Sequence, residues 1–169
     1  MSQENLVIKK AEIQDIQGLM SLGHEANPAY YEKNLEEQAA GHREVYLAFQ
    51  GEDLAGYVIL NWQPRYQPFR RLGIPEIQDL FVASSHRRQG IGEALVRHCE
   101  ARAQEAGKNE MGIAVGLHAG FGAAQRLYVR MGYIPDGSGV TYDRAFVNTG
   151  EMRPVDDDLT LMLIKNLKA

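Results

Sequence analysis

The run Arg87-Arg88-Gln89-Gly90-Ile91-Gly92 constrains the fold of this chain more than any other segment. It stands between a β-patterned stretch, residues 77–82, and a helical one that begins near Ile91. In the helical stretch Ile91, Leu95, Cys99 and Ala103 recur at a spacing of four, which places them on one face, and Gly107 supplies a natural stop. A strand, a glycine turn and a helix in that order leave the free N–H groups of the first helical turn pointing outward with partial positive charge. That is a seat for an oxyanion. Glycine also removes the Cβ that would hold a ligand away from the main chain. The segment predicts a pyrophosphate-binding turn within an α/β fold.

The flanking sequence fits such a fold. Strands are expected over residues 6–8, 45–49, 54–62, 76–82 and 111–117, from residue 133, and over 159–164. The second and third form a hairpin around Gln50-Gly51-Glu52-Asp53. Helices are expected over residues 15–22, 30–38, 91–106 and 123–131, with Asn27-Pro28 marking a break. Residues 63–73, with two prolines and three arginines, read as a polar loop, and residues 137–158 as a long irregular one. A central mixed sheet with helices on both faces would bury these elements in a single domain spanning residues 1–169.

Composition narrows the function class. Hydrophobic content of 44% and charged content of 24% are ordinary for a soluble globular protein. A net charge of −4 argues against nucleic acid as the partner. No apolar run approaches the roughly 18–20 residues that span a membrane, and residues 1–5 lack the pattern of a signal peptide. The single cysteine, Cys99, forms no internal disulfide and suits a reducing compartment, so the expectation is a cytoplasmic protein. His24, His42, His86, His98 and His118 show no metal-ligand spacing, so no metal is expected.

The glycine turn is not a nucleoside-triphosphate loop, which ends in Gly-Lys-Ser/Thr. A dinucleotide fold needs a further glycine where Leu95 stands. Leu80-Phe81-Val82, four residues, then Arg87-x-x-Gly90-x-Gly92 resembles the pyrophosphate loop of the GNAT superfamily of acetyl-CoA-dependent N-acetyltransferases. Ala124-x-x-Leu127-Tyr128 followed by Met131-Gly132-Tyr133 resembles the family's second landmark. Two departures stand out: Ser84 replaces a frequent proline, and Phe121 replaces a frequent asparagine that contacts the cofactor. The resemblance implies a mostly antiparallel seven-stranded sheet flanked by about four helices, with acetyl-CoA as cosubstrate.

It also implies roles. The main chain of Leu80, Phe81 and Val82 would hold the pantetheine arm. Arg87, Arg88, Gln89, Gly90, Ile91, Gly92 and Glu93 would wrap the pyrophosphate, although Glu93 serves equally as first-turn helix chemistry. Tyr128 matches the general acid that protonates the departing thiolate, and Glu76 matches a base found in some members, with Asp79 as second candidate. On a regular strand Glu76, Gln78, Leu80 and Val82 share one face. The acceptor side would be built from residues 27–34, 62–71 and 137–158, where Tyr30, Tyr31, Trp62, Tyr66, Phe69, Tyr142 and Phe146 gather. The acceptor is a small-molecule or peptide amine, no membrane or nucleic acid is involved, and a homodimer is compatible. The competing function is a non-catalytic acyl-CoA-binding sensor or interaction module.

Overall fold

The computed structural model describes residues 5–168, so the expectation about a signal peptide falls mostly on residues outside it. The elements follow the chain as β1 (Leu6–Lys10), α1 (Ile16–Ser21), α2 (Pro28–Ala39), β2 (Arg43–Gln50), β3 (Asp53–Asn61), α3 (Gln67–Leu72), β4 (Glu76–Val82), α4 (Ile91–Glu105), β5 (Glu110–Gly116), α5 (Gly122–Arg130), β6 (Ile134–Tyr142), β7 (Ala145–Phe146) and β8 (Leu159–Asn166). The fold is mixed α/β with mostly antiparallel strands, as expected, but with eight strands where seven were expected. The chain divides into two compact units, residues 1–63 with 77–102 and residues 64–76 with 103–169.

In the first unit the strands run in the order β1-β2-β3-β4. β1 and β2 are antiparallel, as are β2 and β3, where Val45 faces Ile59 and a bulge falls at Ala48/Phe49. β2 and β3 are buried almost end to end, which is why they read as unbroken apolar runs rather than alternating ones. Leu19, Tyr31, Val45, Leu47, Tyr57 and Ile59 form the core there. The Asn27 side chain accepts from Ala29 N at 3.0 Å and Pro28 fills the first turn, so Asn27-Pro28 starts α2. The expected apolar face of α4 is real: Ile91, Leu95 and Cys99 are each at most 1% exposed. Burial of a side chain such as Leu95 contributes about 2 kcal/mol.

The expectation of a regular β4 needs correction. Asp79 has φ 53°, left-handed backbone in the middle of the strand, so the alternation of faces breaks there. Beyond the break, a Cβ on Gly56 of β3 would stand 2.4 Å from the main-chain oxygen of Phe81, so the third strand needs glycine where β4 passes.

In the second unit the order is β5-β8-β6-β7, with β5/β8 and β6/β8 antiparallel. Two loops of the sequence reading are in fact structured. Residues 67–72 form α3, because Pro68 sits in the first turn, where a missing N–H costs nothing, and Gly73 at φ 67° closes the helix. Tyr66 and Phe69 anchor it, each at most 1% exposed, and Phe69 lies over Gly112, where a Cβ would come within 2.1 Å of its ring. Residues 137–142 continue β6, with an irregularity between Pro135 and Val140, and Tyr142 pairs with Ala145 of β7. Gly137 and Gly139 lie at φ 86° and 83°, which absorbs the irregularity but erases the strand signal in the sequence.

Candidate active site

The candidate anion seat is the turn made by the chain leaving β4. Arg87 donates from Nε to the carbonyl of Val82 at 3.1 Å, which ties the turn to the strand end. Arg88 and Gly90 then adopt φ 63° and 79°. Left-handed residues set into a turn aim successive N–H groups into one concavity, and here they run directly into the first turn of α4. Ala94 N already bonds to Gly90 O at 3.0 Å, so the helix is formed from its first residue and its leading N–H groups stay free of intrahelical partners. The main chain from Gly90 to Glu93 is therefore suited to a pyrophosphate. The side chain of Glu93 has another partner, Arg97 one turn on at 2.7 Å, so it serves the helix rather than the anion.

Leu80, Phe81 and Val82 are each partly exposed. Phe81 leans on His24 (4.8 Å between ring centroids) and Tyr57 (6.4 Å). At the kink before them, the Tyr30 hydroxyl of α2 donates to Asp79 Oδ2. Burial, and next the adjacent Asp79 charge, hold the Tyr30 phenol well above its usual range. Burial, then the neighbouring Tyr30 and the Asp79 charge, hold the Tyr57 phenol well above its usual range. These contacts bring Tyr30 together with Asp79, whereas Tyr31 and Tyr57, at 2% and 0% exposure, belong to the core beneath.

In the second unit Tyr128 of α5 is 5% exposed, and burial pushes its phenol up to about 12. Its ring meets Tyr133 edge-on with centroids 6.2 Å apart. Glu76 is fully buried, not a strand-end surface carboxylate, and Arg144 Nε donates to it at 3.2 Å. Arg144 sits at φ 66° in the β6–β7 turn, and nothing in the sequence pairs it with a residue 68 positions earlier. Phe121 fills its own space: a Cβ on Gly116 would stand 2.2 Å from its ring, and His118 lies edge-on at 4.7 Å. His118 Nδ1 accepts from Gly120 N, so its other nitrogen carries the proton donated to Asp157.

The remaining expected acceptor-side aromatics have structural partners. The Tyr66 hydroxyl donates to Asp136 at 2.6 Å, Tyr142 donates to Asp156 at 2.7 Å, and Trp62 lies under the Arg102 guanidinium. Phe146 is exposed. Burial drives the Cys99 thiol far up, which removes it as a nucleophile. Among the described residues no cluster of His, Cys, Asp or Glu is arranged to hold a metal, and no helix is long and apolar enough to cross a membrane.

Comparison with known proteins gives this arrangement a context. Solved structures of similar fold include an N-acetyltransferase from Staphylococcus aureus Mu50 (15% identity, TM-score 0.73, covering 97% of this chain and 99% of that one). A ribosomal-protein-alanine N-acetyltransferase from Brucella melitensis is 18% identical, with TM-score 0.71 and coverage of 95% and 99%. The Salmonella typhimurium protein yncA, solved with its cofactor acetyl-CoA, is 19% identical, with TM-score 0.65 and coverage of 97% and 95%. No curated protein matches the chain. The sequence model of the Acetyltransferase (GNAT) family matches residues 11–133. Because that match takes in both landmark segments and most of the chain, the protein belongs to the GNAT family of acetyltransferases.

Proposed function

We propose that this protein transfers an acetyl group from acetyl-CoA to a primary amine by direct attack of the amine on the thioester. The observation that carries the reading is the turn with Arg88 and Gly90 in left-handed backbone, opening onto the N-terminus of α4 directly after β4. Main-chain N–H groups of residues 87–93 would hold the pyrophosphate, and the main chain of Leu80, Phe81 and Val82, residues that are each partly exposed, would hold the pantetheine arm.

Tyr128 is the proposed acid. With its phenol at about 12 it is protonated at neutral pH, well above a thiol at about 8.5. Full transfer to sulfur is then uphill, so Tyr128 donates a hydrogen bond as charge builds on the thiolate. Transfer is completed as the acetylated nitrogen sheds its own proton. The base is a carboxylate of β4. Glu76 can serve only through a water or after Arg144 turns away, because that guanidinium holds one of its oxygens. Asp79 is the second carboxylate and is exposed.

The sensor reading draws on one observation, the packing of Phe121 where many members carry a cofactor-binding amide. A single experiment separates the two. A thermal shift with acetyl-CoA is followed by thiol release with a panel of amines. Turnover that falls about 100-fold in Tyr128→Phe with the cofactor shift unchanged supports the enzyme. A shift without thiol release from any amine supports the sensor. No shift defeats both. In Gly90→Val, left-handed strain of roughly 1–3 kcal/mol should weaken acetyl-CoA about tenfold.

A further inference from the structure

One concave surface of the first unit lies outside every segment assigned to acetyl transfer. The short turn at residues 13–15, the start of α1 and one side of α2 enclose a groove of about 530 Å³. That volume falls in the range of small-molecule pockets, roughly 300–1,000 Å³. Ile16 and Leu35 line it, each partly buried and packed on the core of this unit. Ile13 lines it as well and is 77% exposed, an apolar side chain that the fold leaves uncovered. A lone exposed isoleucine is ordinary, but this one borders a concave surface that is itself apolar.

The charges around the groove have one sign. Glu12, Glu32 and Glu36 line it, and no lysine, arginine or histidine does. Glu32 and Glu36 are exposed and one turn apart on α2, where like charges repel. Neither carboxylate has an ion-pair or hydrogen-bond partner among the described residues. Glu12 accepts from the Gln14 amide. The lysines of β1 are engaged elsewhere, Lys9 with Asp15 and Lys10 with Glu44, and Lys33 of α2 does not line the groove.

We propose that this groove binds a small amphipathic cation, an ammonium or guanidinium group on an apolar arm. The arm lies against Ile13, Ile16 and Leu35, and the carboxylates of Glu32 and Glu36 hold the head. Each half needs the other. Exposed ion pairs are weak in water, so the head alone gains little. The arm alone gains only the area it covers. An anion of the same shape meets the carboxylates and is turned away. Nine residues line the groove, against roughly 20–30 on each side of a stable protein interface, so the occupant is a small ligand and not a protein. The site uses none of the residues assigned to the cofactor or to the acid, and it stands whether or not the chain transfers acetyl groups.

The test uses the full chain and octyltrimethylammonium, a cation with an apolar arm and no N–H proton, which therefore cannot be an acetyl acceptor. Octanoate controls for the charge and tetramethylammonium for the arm. Affinity is read by calorimetry below the micelle-forming concentrations, and location by backbone amide NMR shifts. Octyltrimethylammonium should saturate, with shifts centred on residues 11–16 and 32–39. Both controls should bind at least about tenfold more weakly. The double variant Glu32→Gln/Glu36→Gln should lose about tenfold in affinity, and Ile13→Ser several-fold. Its thermal midpoint should hold or rise in the double variant, because a like-charge pair on α2 is gone, so the loss of binding is not a loss of fold. Raising the ionic strength should weaken the wild-type complex. Any of four results overturns the inference: no saturable binding, octanoate bound as tightly, wild-type affinity in the double variant, or shifts centred elsewhere. Sedimentation adds a fifth: a wild-type assembly that the double variant disperses would mean that a second copy covers the groove.

Discussion

Two carboxylates on β4, three residues apart, live in opposite surroundings. Glu76 is fully buried and answered by Arg144 at 3.2 Å. Asp79 is exposed, sits at φ 53° and is answered by a phenol instead of a cation. A buried charge that already has its cation is satisfied, and moving either partner exposes the other to the full cost of burial. A carboxylate held by one neutral donor still has capacity for a positive group. The same residue chemistry is therefore architectural at one end of the strand and available for binding at its kink.

The contrast is broken most directly at Arg144. Arg144→Ala leaves Glu76 buried without that guanidinium and should cost about 3 kcal/mol in denaturant unfolding, the low end for a buried pair because Arg144 is itself 23% exposed. A loss below about 0.5 kcal/mol would show that the pair behaves like a surface bridge and would return Glu76 to candidacy as a mobile base. Next in size is Gly56→Ala. Its new Cβ meets the main-chain oxygen of Phe81 at 2.4 Å, and backbone cannot rotate away as a side chain can. The expected loss is about 2 kcal/mol, together with weaker acetyl-CoA binding, because β4 must shift just beyond the kink. An unchanged midpoint would mean that this stretch of β4 is free to move.

Smaller still is the effect of Asp79→Gly on stability. Glycine relieves the left-handed strain by about 1 kcal/mol and gives up a hydrogen bond to a charged acceptor of similar worth. The midpoint should therefore stay within about 1 kcal/mol of wild type, while turnover falls about 100-fold where Asp79 is the proposed β4 base. Stability kept and activity lost is the signature of a residue strained for function. If stability collapses along with activity, Asp79 is architectural too and the contrast with Glu76 disappears.

What the sequence made legible follows the same division. The turn before α4 was readable because it needs glycine at Gly90, where φ is 79°, and because α4 keeps an unbroken apolar face from Ile91 onward. β4 was located to the residue, yet its kink was invisible, since aspartate at 79 carries no mark of a left-handed backbone. α3 was hidden by Pro68, which reads as a breaker unless it falls in a first turn. The end of β6 was hidden by Gly137 and Gly139, which read as loop although they sit in a strand irregularity. At the candidate site, Tyr128 and Glu76 became candidates through the family resemblance, whereas Arg144 carried no signal in the sequence. Its significance lies in a contact between residues far apart in the chain.

The finest distinction lies in how Tyr30 titrates. Burial first, and the Asp79 charge second, raise its phenol. A group that holds its proton more tightly when folded contributes stability that is fully present below the unfolded value, about 10, and is lost as pH rises through the folded value. For Tyr30 that window opens above pH 10. Titration by tyrosinate absorbance should therefore show a phenol that resists ionisation until the chain unfolds. Tyr57, also raised, and the nearby Tyr31 share this behaviour, so the difference between variants carries the information. Asp79→Asn removes one of the charges that oppose a tyrosinate at Tyr30 but leaves the burial. The same charge also raises Tyr31 and Tyr57, so all three phenols should then titrate earlier, and the alkaline unfolding limb should become shallower. Tyr30→Phe should delete that phenol from the titration altogether. If Asp79→Asn leaves the curve unmoved, the Tyr30 hydroxyl does not sense the Asp79 charge, and Asp79 stands alone as an exposed carboxylate.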